Sequence, residues 1–293
     1  MDIWHRVGRI VRISNIGTLI FFVLNISLLL FFSCPNGLSV ESVLPIVAVY
    51  LTTVLISVSP AGEWVLAVLA DAQEIKRKDI KIRLIPLIEV VYSKAKQYTP
   101  SMVDSLRLKI IHDDSPNAFA IGRRTICVTD GLLNLRDDDI MAIFAHEIGH
   151  IVYRHSVIQL LIGGSNVFIA GCLLIIKIVC WMITTICGLF AIGTRSFLCG
   201  TLIAFFGTFS SILIWLWTKF CMLFLMWSMR QNEFVADEYA CKIGFGNGLA
   251  RVLDLHICSV PKGGLLKALY ATHPHNDDRV ARLQNLGVSY SRY

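Results

Sequence analysis

The chain has 293 residues, 55% of them hydrophobic and only 16% charged, and carries a net charge of +6. Soluble domains average about 45–50% apolar and about 25% charged residues, so an ordinary soluble enzyme and a disordered chain are excluded and a membrane protein is expected. The basic residues stand beside apolar runs, where they orient a membrane protein rather than bind nucleic acid. The nine cysteines include no CxxC pair, which argues against a disulfide framework or a cysteine metal cage.

Two apolar stretches open the chain, 16–32 and 43–58, on either side of the polar turn Cys34-Pro35-Asn36-Gly37. Each is close to the length a spanning helix needs. Arg6, Arg9 and Arg12 ahead of the first would also suit a cleaved signal peptide, but a second apolar stretch so close behind favours a membrane hairpin. The connection holds no Lys or Arg, whereas Lys76, Arg77, Lys78, Lys81 and Arg83 follow the second stretch. Both flanks, and with them both termini, are therefore expected in the cytoplasm.

Residues 61–155 return to nearly ordinary polarity. An amphipathic helix is expected at 84–97 and strands at 106–112 and 124–128, with turns at Pro116-Asn117 and Asp130-Gly131. Asp137, Asp138 and Asp139 stand just before a periodic run at 140–155, and acids at that end favour a helix start. From 156 to 229 the chain is apolar again and contains no acidic residue; its charges are Lys177, Arg195 and Lys219. The polar remainder predicts helices at 230–242 and 276–286, the second with Asn276 as N-cap and Gly287 as stop.

The chemistry concentrates at His146-Glu147-Ile148-Gly149-His150. Histidines at i and i+4 share one face of a helix and can hold one metal ion, while the glutamate between them borders that face and can act as a general base. Two histidines leave a catalytic zinc short of one protein ligand, and Ser156 stands where a third histidine would extend the motif. No Asp or Glu occurs between Glu147 and Glu233, so Glu233 is the first candidate for that ligand. Asp237 lies four residues further along the same helix face, which suits a carboxylate orienting His146 from behind. Glu233 can join the histidines only if an even number of spans separates them. Two fit, at about 157–176 and 197–218, with Lys177 and Arg195 flanking an outer or interfacial connection.

These motifs resemble those of HtpX-type integral-membrane zinc metalloproteases, in the gluzincin group that includes the type I CAAX prenyl proteases. The resemblance runs from the N-terminal spans to residue 286. It rests on Asn117-Ala118-Phe119-Ala120, Asp130-Gly131-Leu132-Leu133, the HEIGH motif, Asn232-Glu233-Phe234-Val235-Ala236-Asp237, and His273-Pro274 followed by Arg279. The continuation through Arg154-His155 is similar to soluble or periplasmic relatives of the group. The resemblance implies that His146, His150 and Glu233 bind one Zn2+ per chain and that Glu147 is the general base. It implies that Asn117 and Ala118 belong to an edge strand pairing with extended substrate, and that His273 and Arg279 lie near the scissile carbonyl. Plainer readings stand beside these: His273 packing in a loop, Arg279 pairing with Asp138 or Asp139, and Asn117 only making a turn. His112, His155, His256 and His275 lack ligand spacing and read as structural or surface residues.

The expected fold is a mainly α membrane protein, with about four transmembrane helices and a cytoplasmic α+β zincin-like catalytic domain containing a small sheet. Its parts are an N-terminal transmembrane hairpin (1–60), a first catalytic half (61–155), a second transmembrane hairpin (156–229) and a second catalytic half (230–293). The expected function is a multi-pass zinc endopeptidase of a bacterial inner membrane that cleaves misfolded or damaged membrane proteins at the cytoplasmic face. The partners expected are polypeptide substrates and the lipid bilayer, with no nucleic acid. The rivals are a selective protease of lipidated or membrane-anchored peptides, and a non-enzymatic scaffold or transporter.

Overall fold

The computed structural model describes residues 13–33, 37, 39–193, 197–255 and 274–291. A 3-10 turn at Ile13–Asn15 leads into α1 (Ile16–Ser33). α2 (Val40–Ser57) begins at a capping box: the Ser39 hydroxyl accepts from the Ser42 amide, and the Ser42 hydroxyl accepts from the Ser39 amide. α3 (Pro60–Leu69) follows after two residues, with Ser59 as its cap and a proline in its first turn, where no amide hydrogen is missed.

Among the described residues three stretches are long and apolar enough to cross a membrane: Ile13–Phe31, Val40–Ser57 and Gly171–Phe190. The third lies within α6 (His155–Gly193), and α7 (Phe197–Lys242) follows it. These helices have 39 and 46 residues. At about 1.5 Å per residue each is far longer than the roughly 30 Å of hydrocarbon a bilayer presents, so each has length to spare for the polar half of the molecule. The expected outer connection shifts. α6 continues past Lys177 to Gly193, which places Lys177 inside the apolar stretch rather than at its flank. No proline or polar cluster stands at 177 to stop the helix, and a lysine stem can lie along apolar surface while its ammonium reaches a polar boundary. Arg195, the other expected flank, lies outside the described residues. α1 packs on α6 and α7 through Phe21, Ile158, Cys221 and Leu225, and α2 on α6 through Tyr50 and Ile169, where Tyr50 and Ser165 share a 2.6 Å hydrogen bond.

The polar half forms one core. α4 (Lys78–Tyr98) starts earlier than expected and runs through Pro86, because Ile80, Leu84, Ile88, Val91 and Ala95 make one buried stripe whose packing outweighs the lost hydrogen bond. The expected strands form as β2 (Arg107–Ile111) and β4 (Thr125–Thr129), paired in parallel with Arg107 opposite Thr125. β1 (Gln73–Glu74) joins β2 antiparallel, and β3 (Ala118–Ile121) joins β4 antiparallel with Ala118 opposite Val128. The order β1-β2-β4-β3 leaves β3 at an edge. α5 (Asp137–Val152), the end of α7, α8 (Gly246–Leu255) and α9 (Asn276–Asn285) complete the core around Phe144, Ile148, Tyr239, Leu253 and Leu283. The cap of α9 differs from expectation. His275 is the N-cap, its ring accepting from the Asp277 amide, and Asn276 turns inward to donate to the Leu253 carbonyl at 2.8 Å.

Candidate active site

α5 carries the HEIGH motif through the middle of the core. Its first turn holds Asp137, Asp138 and Asp139, which favour the positive end of the helix dipole. Asp139 is fully buried between Arg136 (3.0 Å) and Arg251 (2.8 Å), which fixes that end of the helix. The close approach to α7 depends on Gly149: a Cβ there would stand 3.1 Å from the Ala236 Cα, 3.2 Å from its carbonyl oxygen and 3.3 Å from the Tyr239 Cβ. Two small residues thus meet where the helices touch, and Glu233 and Asp237, on either side of Ala236, come against the two histidines.

His146, His150 and Glu233 are buried, and their donor atoms all lie within 4.8 Å of one another. The two Nε2 atoms are 3.1 Å apart; Glu233 Oε2 is 3.6 Å from His146 Nε2, and Glu233 Oε1 is 3.4 Å from His150 Nε2. Tetrahedral zinc with bonds of about 2.0–2.1 Å spaces its ligands about 3.3–3.4 Å apart. The triad therefore fits zinc in donor type and in spacing.

Each donor is held from behind. His146 Nδ1 lies 2.9 Å from Asp237 Oδ1. Arg279, reaching in from α9, donates to both Asp237 oxygens at 2.7 and 2.6 Å and stands 3.2 Å from Glu233 Oε2. The pairing with Asp138 or Asp139 weighed from sequence does not form; Asp139 is taken by Arg136 and Arg251. Burial pushes the Asp237 carboxyl up, but Arg279 and His146 outweigh it and hold it below its ordinary value. Burial likewise opposes a charged His150, yet Glu233 and Glu147 hold that ring above the usual imidazole value. Glu147 is buried and raised above the usual carboxylate value, by burial first and then Glu233, against the pull of both histidines and an amide hydrogen bond from Ala120.

One buried neighbour was not legible as such. His155, read from sequence as a structural or surface residue, is buried with its Nδ1 3.0 Å from His150 Nδ1. α5 ends at Val152 with Tyr153 as its C-cap, and Arg154 takes φ 60°, a left-handed turn that sets His155 under His150. Helix spacing alone gave no sign of it, because the turn breaks the period. Ser156, in the place of a third histidine, donates instead to the Gly122 carbonyl at 2.6 Å and ties α6 to the β3–β4 turn.

The edge strand runs beside this cluster. Asn117 is held to β4, its amide donating to Thr129 Oγ1 at 2.8 Å and its carbonyl accepting the Thr129 amide at 3.0 Å. By antiparallel alternation the amides and carbonyls of Ala118 and Ala120 then point away from β4, and the Ala120 amide meets Glu147. The Asp130-Gly131 turn has a packing role: a Cβ on Gly131 would collide with the Asp114–Ser115 backbone, and its amide donates to the Asp113 carbonyl at 2.9 Å. His112 is exposed and pairs with Asp130 at 2.8 Å. His273 and His256 lie outside the described residues.

Two imidazoles one helical turn apart, a glutamate between them and a third donor from a second helix are the parts of a metallopeptidase centre. The sequence profile of Peptidase family M48 matches residues 87–287. The chain belongs to this family and is a metalloprotease of the HtpX type. A "Protease HtpX homolog" of Desulfotalea psychrophila is 27% identical over 218 residues, 67% of this chain and 72% of that protein. Another from Desulforapulum autotrophicum is 31% identical over 205 residues, 61% of this chain and 62% of that protein. Among solved structures, Ste24p of S. mikatae is 20% identical with a TM-score of 0.48, covering 92% of this chain and 63% of that one.

Proposed function

We propose that this chain is an integral-membrane zinc endopeptidase that cleaves misfolded or damaged membrane proteins at the cytoplasmic face of a bacterial inner membrane. The observation that carries the reading is the convergence of His146, His150 and Glu233 at zinc-like spacing, with Glu147 against an edge strand. Four spans, of which the last is the first half of α7, would set the two hairpins (1–60 and 156–229) against the catalytic halves (61–155 and 230–293). His146, His150 and Glu233 are the metal ligands in this reading, and bound zinc supplies a Lewis acid that polarises a carbonyl and lowers the pKa of water to about 7.

The chain's own residues supply the rest. Glu147 takes the proton of the attacking water and passes it to the leaving amine. Asp237 orients His146, and Arg279 acts as a positioning residue, since its guanidinium is engaged with Asp237 and Glu233. His273, by resemblance, serves the oxyanion. Substrate in extended form pairs with Ala118, with Asn117 holding that strand end to β4; backbone pairing gives affinity with little sequence preference, which suits unfolded substrates.

The test is a panel offered to the purified protein in lipid: an unfolded membrane protein, a soluble unfolded protein and a lipidated peptide, with Glu147→Gln as control. Broad cleavage of the unfolded membrane protein is expected, and Glu147→Gln should lose at least about a hundredfold in rate while keeping its metal. Cleavage of the lipidated peptide alone would replace quality control with selective processing. Undiminished cleavage by Glu147→Gln would overturn the mechanism.

A further inference from the structure

α3 is built the wrong way round for a helix facing water. Its one charged side chain, Glu63, turns inward: Oε1 accepts the Arg123 amide at 3.0 Å on the turn between β3 and β4. On that turn Gly122 adopts φ +60°, and the Glu63 carboxyl occupies the space a Cβ would fill. Ala67, one turn along on the same face, is buried with Ile121 and Cys127. The other face carries Trp64, Val65, Val68 and Leu69, which are 65%, 46%, 56% and 78% exposed. Positions i, i+1, i+4 and i+5 form a single stripe, so this is an amphipathic helix with its apolar side outward, the reverse of a helix on a soluble surface.

Three observations select lipid as the occupant of that stripe. Only Val58 and Ser59 separate α3 from α2, a helix apolar enough to span, whose Leu51, Leu55 and Ile56 are themselves exposed, so the apolar surface runs on from one helix to the next. Ten residues reach only about 15 Å, too short to cross but long enough to lie at the boundary. The turn that Glu63 grips also presents exposed Arg123 and Arg124, cations suited to anionic headgroups.

We propose that α3 is an interfacial anchor: Trp64, Val65, Val68 and Leu69 sit in the boundary between headgroups and acyl chains of an anionic bilayer, and Glu63 ties the β3–β4 turn to that depth. The edge strand is thereby held at the membrane surface. The anchor does not depend on the protease reading, because insertion is measured without any substrate.

The experiment is tryptophan quenching in the full chain, reconstituted in vesicles of phosphatidylcholine with a minority of phosphatidylglycerol. The Trp64 signal is the difference between wild type and Trp64→Phe. A second variant, Leu69→Trp in the Trp64→Phe background, reads the same stripe one turn on. Lipids brominated near the headgroup end of their chains should remove about half of each difference signal or more, and aqueous iodide little of it. Quenching by iodide in place of brominated lipid would overturn the anchor. Shielding of both positions from lipid and iodide alike would overturn it too, pointing to a second protein copy on the stripe.

Discussion

His155 and Arg279 hold the donors of the site without belonging to the HEIGH motif. A ligating imidazole needs its other nitrogen fixed so that the correct lone pair faces the metal, and His155 lies 3.0 Å from that nitrogen of His150. His155→Leu is expected to keep the fold and weaken zinc retention by about 10–100-fold, measured by competition with a chelator. Retention equal to wild type would reduce His155 to packing. Arg279 faces two buried carboxylates, Asp237 and Glu233. Arg279→Ala would leave both without their cation and cost about 3–5 kcal/mol, read as a lowered unfolding midpoint of the metal-free protein. Arg279→Lys keeps the charge but loses the two-pronged contact with Asp237, so it should recover only part of that loss.

At the level of elements, the site exists because α5 and α7 touch at Gly149 and Ala236. Gly149→Ala would need a few tenths of an ångström at 3.1 Å from the Ala236 backbone, so a cost of about 1–3 kcal/mol is expected, with lower metal occupancy in the same preparation. The edge strand can be tested separately. The Ala118 amide points away from β4, so Ala118→Pro removes a donor that the sheet itself does not use. The expected result is a raised KM with zinc content and stability retained; an unchanged KM would argue against pairing of substrate with this strand. These elements also show what the sequence made legible. The i, i+4 histidines, the acid-free gap before Glu233 and Asp237 one turn later carried the cluster, because a helix converts spacing directly into a shared face. His155 was missed because a left-handed Arg154 breaks that spacing, and the Arg279 contacts because no local rule says which of several distant carboxylates an arginine will reach. Lys177 misled for a related reason: a charge suggested a helix end where apolar continuity carried the helix through.

For the whole molecule, the long helices α6 and α7 lie between the HEIGH helix and Glu233, and the proposed four-span arrangement requires the polar segments on either side of them to share one side of the membrane. Cysteines introduced at exposed Gln97 and Asn285 should react with an impermeant maleimide from the same side of sealed vesicles. Labelling from opposite sides would mean an odd number of spans between the halves. The central claim is a single metal centre assembled from α5 and α7, and the most direct measurement is zinc per chain in purified wild type, Glu147→Gln and Glu233→Gln. The account predicts one zinc in the first two and far less in the third. Full zinc in Glu233→Gln, or none in wild type, would contradict it.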